Sequence, residues 1–290
     1  MLLSHNFLAD LQAVAPRRPE QSISAHFLDD LAAVHKTMEE TAPQSISRDE
    51  LGFISKHLEE WRSKAQKELA MLIDKLPEDD PLLCPISLFG TMDYGRLETA
   101  HTRTLAWLLN PTKEHGFGSK LLEALLVRVD GQRFPIEVTR VESELFITVA
   151  NRIDIFAEGV WINENGKRIP WMMALEAKID AWEGEEQLTR YDAWLDSRVG
   201  DREVLRVFLT PDGRQPSMAV QEWFPLKFQE LAEAFRLSFD ELRDKPGYHY
   251  LRFYLAGVLR DVCGWPIPIR TDCIDPYSVL SYIKHAIKRK

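Results

Sequence analysis

The chain has 290 residues, 45% of them hydrophobic, and a formal net charge of −9 at pH 7. This composition is typical of a folded globular protein, and the acidic charge excludes a surface coated in basic residues for non-specific nucleic-acid binding. The sequence shows no targeting signal and no run of about 18 apolar residues, so we expect a cytoplasmic protein that does not enter a membrane. Its three cysteines form no CxxC pair and cannot all be paired with one another, so neither a zinc knuckle nor a disulfide framework is indicated.

Residues 1 to about 80 have few glycines and form a predicted helical N-terminal extension. Ser47 and Glu50 have the spacing of a capping box, and apolar residues then recur at three- and four-residue steps as far as Leu72. An earlier helix is expected at residues 24–40. Helices of this kind commonly supply packing or dimerisation surfaces, so a homodimer through the N-terminal helices is one hypothesis.

The predicted core covers residues 86–262 and follows the segment LPEDDPLLCP, whose prolines and acidic cluster indicate a linker. The helix in GRLETAHTRTLAWLLNP should end before Pro111, because a proline ring cannot continue a helix. This helix places Glu98 one turn before His101. A second helix is expected from Ser119 to about Val129, after a turn with the sequence HGFGS.

Strands are predicted in the centre of the chain. Residues 135–150 are β-rich, residues 151–178 have a strand–turn–strand pattern, and EVLRVFLTPDG contains a further strand that ends at a turn. Helical segments follow at about 226–242 and 247–262, and a tail from 263 to 290 ends in a short basic helix. Central strands flanked by helices predict an α/β or mixed α+β layer fold.

The turn INENGK decides how the two central strands pair, and two loop lengths are compatible with its Asn-Gly pair. A two-residue loop would set Asp154 opposite Ala177. Glu176 and Lys178 would then point to the other face. A three-residue loop, closed by Gly166 in the left-handed conformation, would set Asp154 opposite Glu176 and make the other face uniformly apolar. This separation of faces favours the three-residue loop and predicts Asp154, Glu176 and Lys178 on one face.

Two opposed carboxylates would repel unless a cation lay between them. Asp154 and Glu176, with the backbone carbonyl of Ala177, form an oxygen ligand set that suits a hard cation such as Mg²⁺ or Mn²⁺. Lys178 would orient a bound water or stabilise developing negative charge. The pattern therefore indicates a hydrolytic phosphodiesterase site.

A further helix is predicted to begin at Asp180, which has the capping-box spacing with Glu183. Gln187 and Tyr191 stand four residues apart on this helix and therefore share a face. That face can look back over the ends of the two strands.

The motifs RIDIF, LEAK and QLTRY occur in the order strand, strand, helix, and this combination resembles the PD-(D/E)XK nuclease superfamily with its restriction-endonuclease-like core. The upstream ETAHTRTLAWLLNP and HGFGSKLLEALL are similar to a poorly characterised bacterial branch of that superfamily. The similarity covers about residues 88–260. The chain departs from the family pattern at Ile153, where the motif has a leading proline.

The resemblance implies that Asp154 and Glu176 are metal ligands and that Lys178 is the catalytic lysine. It places further groups around them: Glu98 as an acid near the metal, Gln187 as a supporting catalytic residue, and Arg152, Tyr191 and His101 at the nucleic acid.

The expected activity is that of a Mg²⁺- or Mn²⁺-dependent nuclease, with DNA favoured over RNA as the substrate. One alternative is a nuclease-fold module that binds nucleic acid or protein without cutting. Another is a structural or regulatory subunit whose acidic surface engages proteins. Sequence preference, and endonuclease as against exonuclease action, are not encoded in any motif that we identify.

Overall fold

The computed structural model describes residues 48–131, 135–149, 151–182, 184, 186–217, 219–270 and 276–287. The chain divides into two compact units, Met1–Ser63 and Lys64–Lys290. Helix α1 (Arg48–Ile73) confirms the helix predicted after Ser47. The helix expected at residues 24–40, and with it most of the hypothetical dimer surface, lies outside the described residues. Within those residues no helix is long and apolar enough to cross a membrane.

A five-stranded mixed sheet forms the centre of the second unit, with its strands in chain order. The strands are β1 (Ile136–Phe146), β2 (Arg152–Ile162), β3 (Arg168–Ala177), β4 (Glu203–Thr210) and β5 (Phe224–Lys227). Strands β1, β2 and β3 are antiparallel, whereas β4 pairs in parallel with β3 and β5 in parallel with β4. The predicted mixed fold is confirmed. Strand β5 was not predicted, because four residues that include a proline carry no periodic pattern and only their pairing with β4 defines a strand.

Helices flank this sheet on both faces. They are α2 (Glu98–Leu109), α3 (Lys120–Asp130), α4 (Gln187–Asp196), α5 (Phe228–Arg236), α6 (Phe239–Leu242), α7 (Tyr248–Gly257) and α8 (Pro276–Ile287). Helix α7 continues into one π-helical turn, Val258–Val262. Helix α4 is the crossover that the parallel pairing of β3 with β4 requires.

The two faces of the β2–β3 hairpin pack into different apolar clusters. Ile155 and Leu175 contribute to a large cluster with residues of α2, α3, α5, α7 and α8. Phe156 and Ala174 contribute to a smaller cluster with residues of α4. The sequence predicted that Ile153 would lie on the same apolar face as Ile155. Ile153 lies instead in the smaller cluster, so on β2 this face begins at Ile155.

The hairpin turn has the three-residue geometry. Ile155 pairs with Leu175 and Ile162 with Arg168, as the three-residue loop requires, so the two-residue alternative is wrong. Gly166 is in the left-handed region with φ +71°. The side chain of Asn163 closes the turn, since its Oδ1 accepts from the backbone N–H of Asn165 at 3.0 Å and of Lys167 at 2.8 Å.

The segment LPEDDPLLCP is not a linker. Leu82 and Cys84 are buried in the large cluster, and Asp80 is buried against the guanidinium group of Arg236. The backbone N–H of Ile269 donates to the carbonyl of Leu82 at 2.7 Å. Prolines and acids often mark linkers, but here one of the acids satisfies a buried cation and thereby holds the segment in the core.

Candidate active site

The carboxylates gather where the β2–β3 ladder ends. Beyond the last paired residues, Ile155 and Leu175, the Oδ2 atom of Asp154 accepts the backbone N–H of Ala177 at 2.9 Å. A side-chain oxygen thus replaces the backbone carbonyl that a continuing antiparallel ladder would supply. This bond holds Asp154 beside Glu176, the residue before Ala177.

Glu176 is 0% exposed, and its two carboxylate oxygens have different surroundings. Oε1 accepts from the ammonium of Lys178 and, at 2.7 Å, from Nε2 of Gln187. Oε2 is buried and has no hydrogen-bond partner among the described residues. A buried oxygen without a hydrogen-bond partner is unfavourable unless a ligand binds it. Oε2 therefore marks the position at which a ligand would bind.

Burial and mutual repulsion disfavour two negative charges at this site. Burial raises the pKa of Glu176 to about 8, and the neighbouring Asp154 charge adds to the rise. Burial also raises the pKa of Asp154 to about 6, against the opposing effects of the Ala177 N–H and of Lys178. Without a cation the two carboxylates therefore tend to retain protons.

Lys178 is the positive charge of the site. Burial disfavours its ammonium form, but Glu176, Asp154 and Glu98 together hold the pKa of Lys178 above its ordinary value. Its Nζ donates to Glu176, to Oε1 of Glu98 at 3.2 Å and to the carbonyl of Ala177 at 3.2 Å. An ammonium has three N–H donors, so all three are engaged.

Glu98 reaches the site as the first residue of α2, a helix N-terminus that favours a negative charge. Its Oε1 contacts Lys178, and its Oε2 accepts the backbone N–H of Ile179 at 3.3 Å. The structure therefore places Glu98 at the site through Lys178. Its predicted role as a metal ligand stays a prediction.

Gln187 opens helix α4 and connects three groups. Its Nε2 donates to Glu176 and, at 2.8 Å, to the hydroxyl of Tyr191, which itself donates to the carbonyl of Arg152. The bond to Arg152 links α4 to β2. Tyr191 is buried, which does not favour its predicted contact with nucleic acid. Helix α4 begins at Gln187, and the start predicted at Asp180 is wrong because Asp180 pairs with Arg96 instead of capping a helix.

His101 is also buried, which does not favour its predicted contact with nucleic acid. Its Nε2 bonds to the carbonyl of Gly95 at 2.9 Å, and its ring packs against Phe89, Phe228 and Tyr254. Burial lowers the pKa of His101, which keeps the ring neutral. The ring is therefore part of the apolar core beneath α2.

Arg152 is exposed at the rim of the site, where a phosphate could reach it. The partner of Arg152 could not be predicted from the sequence: it is Glu144, whose Oε1 lies 3.1 Å from Nη1 of Arg152. The other oxygen of Glu144 lies 2.7 Å from Nη2 of Arg103 on α2. Glu144 stands between the β1 residues paired with Ile153 and Ile155 and has a left-handed backbone with φ +54°. The alternation of Glu142 and Glu144 along a strand was the available signal, although it does not reveal which arginines they contact.

The donor set suits a hard cation. Asp154, Glu176 and the Ala177 carbonyl provide only oxygen atoms, and Mg²⁺ is commonly held by one or two carboxylates while it keeps several waters. Among the described residues, no group of three or more His, Cys, Asp or Glu side chains is arranged to hold a metal ion. The unpartnered Oε2 of Glu176 and the site's two carboxylates thus fit a partly hydrated Mg²⁺ or Mn²⁺, and they do not fit a zinc site built from soft ligands.

The site combines an acid on one strand, an acid and a lysine at the end of the next, and a glutamine on the following helix. On a mixed sheet, this combination defines a nuclease-type core. The profile of the PD-(D/E)XK nuclease superfamily matches residues 88–249, and the chain belongs to this superfamily. Comparisons with curated proteins and with solved structures gave no match. The resemblance stated from the sequence motifs, and the restriction-endonuclease-like fold that it implied, are confirmed.

Proposed function

We propose that the protein is a nuclease that hydrolyses phosphodiester bonds in nucleic acid, DNA in preference to RNA, with Mg²⁺ or Mn²⁺ as its cofactor. The observation that carries the proposal is the convergence of Asp154, Glu176 and Lys178 at the end of one hairpin. Membership of the PD-(D/E)XK superfamily supports it. Oε2 of Glu176 has no hydrogen-bond partner among the described residues, and this supports the binding of a metal ion there.

Each side chain has a role that follows from its contacts. Asp154 and Glu176 would hold the cation. When bound, it would polarise a phosphoryl oxygen of the substrate and lower the pKa of a bound water. Gln187 donates to Glu176 and so fixes the orientation of that carboxylate. Lys178 is an ammonium with no lone pair, so it does not act as a general base. Its three donors are engaged by Glu176, Glu98 and the Ala177 carbonyl, so it must release one of these acceptors to donate to the attacking water or to the phosphate. Glu98 holds Lys178 in position from α2.

The test is cleavage of circular and linear, single- and double-stranded DNA, and of RNA, with Mg²⁺, with Mn²⁺ and with EDTA. We expect the wild type to cut with either metal and to stop with EDTA. Lys178→Ala should reduce the rate by about 10²-fold or more, because a preorganised charged donor is lost. Circular substrates report endonucleolytic cutting directly.

The matched control is Lys245→Ala, which removes an exposed lysine between α6 and α7 and should leave the rate unchanged. Equal cleavage by the wild type and Lys178→Ala would remove the catalytic assignment. Greater cleavage of RNA than of DNA would overturn the substrate preference while leaving the nuclease assignment intact.

A further inference from the structure

An exposed tryptophan stands beside the candidate site. Trp182 follows Lys178 by four residues and is 74% exposed. The guanidinium carbon of Arg214 lies 4.5 Å from the centroid of its ring and 5.3 Å from that of Phe208. Arg214 also donates to the carbonyl of Ala181 at 3.1 Å. Phe208, Arg214 and Trp182 thus form a stack, with the guanidinium in contact with both rings, which we term the Trp182 stack.

The stack begins one strand away from the carboxylates. Phe208 on β4 pairs directly with Glu176 on β3, and opposed residues of parallel strands project from the same face of a sheet. Adjacent strands are about 4.8 Å apart, so the base of the stack adjoins Glu176. Phe208 is fully buried, which anchors the stack in the smaller apolar cluster.

Single exposed apolar side chains are common on protein surfaces and need no explanation by themselves. Trp182 differs in two respects: a guanidinium group supports one face of its ring, and it lies next to the groups proposed to act on a phosphodiester. With that face covered and most of the residue exposed, the opposite face of the indole is open to a planar ligand. An open aromatic face of this kind is a platform on which an unpaired nucleobase can stack.

We propose that Trp182 stacks on an unpaired base of the nucleic acid beside the phosphate at Asp154 and Glu176. This inference rests on the proposed nuclease function and assigns its substrate class. Inside a duplex, both faces of each base are covered by neighbouring bases, so an indole reaches a base face only where the strand is single, frayed or turned out. The preferred substrate is therefore a nucleic acid with a single-stranded segment or end.

The experiment measures equilibrium binding of two fluorescein-labelled DNA probes by anisotropy, a single strand and the blunt duplex of the same sequence. The full chain is used in EDTA, so that no cleavage occurs. We expect Trp182→Ala to weaken binding of the single strand roughly five- to 150-fold, the range for loss of one base–aromatic stack, and to change duplex binding less than twofold. Trp182→Phe retains a ring and should recover most of the single-strand affinity.

The matched control is Tyr250→Ala, which removes another exposed aromatic side chain, 41% exposed, that contacts Trp107 near the far end of α2. It should bind both probes as the wild type does. If Trp182→Ala binds the single strand like the wild type, or loses both probes equally, the inference is overturned. The same holds if nucleic acid does not bind at all and Trp182 serves a protein partner.

The two proposals fail separately. If the wild type cuts DNA with Mg²⁺ and Trp182→Ala binds normally, the nuclease assignment stands and the stacking assignment falls. If binding depends on Trp182 but no metal supports cleavage, stacking stands and the nuclease assignment falls.

Discussion

At the scale of single residues, Glu176 and Asp154 are held in a combination that is unfavourable without a cation. Burial raises the pKa of both groups, and each charge disfavours the other. Residues that are selected for function commonly reduce stability in this way. The metal-free protein should therefore become more stable when one of the two charges is removed.

We predict that Asp154→Asn raises the free energy of unfolding of the metal-free protein at pH 8 by roughly 1–3 kcal/mol. The asparagine Oδ1 can still accept the N–H of Ala177, so the change removes the charge and keeps the bond. Since the folded-state pKa of Asp154 is raised to about 6, the destabilisation by its charge is complete above pH 6 and is lost as pH falls toward 3.8. Urea unfolding at pH 8 and pH 5 measures the effect, which should be smaller at pH 5.

Asp244→Asn serves as the control because it removes an exposed charge near α6 and should change stability by less than about 0.5 kcal/mol. Adding Mg²⁺ should raise the melting temperature of the wild type and leave that of Asp154→Asn unchanged, because only the wild type keeps both carboxylates. A less stable Asp154→Asn protein at pH 8 would show that repulsion between the two carboxylates does not destabilise the metal-free protein.

The sequence identified Asp154, Glu176, Lys178 and Gln187 together because their convergence depends on local rules, namely strand alternation, hairpin loop length and the four-residue spacing that puts Gln187 and Tyr191 on one helix face. The burial of His101 could not be predicted from local rules of this kind. Its ring packs against Phe228, which is distant in the chain, and no periodicity in α2 distinguishes a histidine that faces a site from one that faces the core.

At the scale of elements, the turn of the β2–β3 hairpin fixes the pairing that brings the carboxylates together. Gly166 adopts φ +71°, a conformation that costs a residue with a β-carbon about 1 kcal/mol. A β-carbon added there would meet no described atom within 4 Å, so only the backbone conformation opposes substitution.

We therefore predict that Gly166→Ala lowers the free energy of unfolding by about 1 kcal/mol, and Gly166→Asn by less, because asparagine tolerates the left-handed region. Urea unfolding ranks the wild type, Gly166→Asn and Gly166→Ala by their free energies of unfolding. Cleavage should be retained in both variants, because the β2–β3 pairing that follows Asp154 and precedes Glu176 remains. An alanine variant as stable as the wild type would mean that the turn does not require the left-handed conformation.

The loop between α2 and α3 depends on a neutral histidine. Nδ1 of His115 accepts the N–H of Phe117 at 2.9 Å, and its Nε2 bonds to the carbonyls of Trp107 and Asn110 at 3.1 and 3.0 Å. A second proton on Nδ1 would remove the acceptor for Phe117. Burial lowers the pKa of His115 despite the opposing carbonyls.

We predict that His115 makes the protein less stable as pH falls below about 6.5, the ordinary histidine pKa. The unfolded chain then binds more protons than the folded one, so stability is complete above that pH and is lost below it. His115→Asn keeps an acceptor near Nδ1 and cannot be protonated. It should be less stable at pH 7.5 and lose less stability between pH 7.5 and 5, as measured by thermal unfolding. An equally steep loss in both proteins would exclude His115 as the cause.

Element boundaries were predicted less well than the elements themselves. Asp180 and Glu183 have capping-box spacing, but Asp180 pairs with Arg96, 84 residues earlier, and α4 starts at Gln187. Spacing along the chain cannot reveal a competing partner from another part of the fold. Strand β5 was missed for the related reason that its identity rests on pairing with β4.

At the scale of the whole molecule, a buried ion pair joins the segment LPEDDPLLCP to helix α5. Nε of Arg236 donates to Oδ2 of Asp80 at 2.8 Å across 156 residues, and Oδ1 of Asp80 accepts the N–H of Leu82 at 2.9 Å. Both side chains are buried. The composition of LPEDDPLLCP indicated a linker because a sequence window cannot show that one of its acids meets a remote arginine.

We predict that Asp80→Asn destabilises the protein by about 3–5 kcal/mol, because it leaves the Arg236 cation buried without its anion while preserving the acceptor for Leu82. Adding Arg236→Met to Asp80→Asn should recover part of this loss, since no charge is then buried. The neighbouring pair of Asp79 and Arg243, 3.3 Å apart, provides the comparison: Arg243 is 47% exposed, so Arg243→Met should cost at most about 1 kcal/mol. Urea unfolding of the four proteins decides the matter: if Asp80→Asn costs no more than Arg243→Met, the segment contributes to stability no more than a linker would.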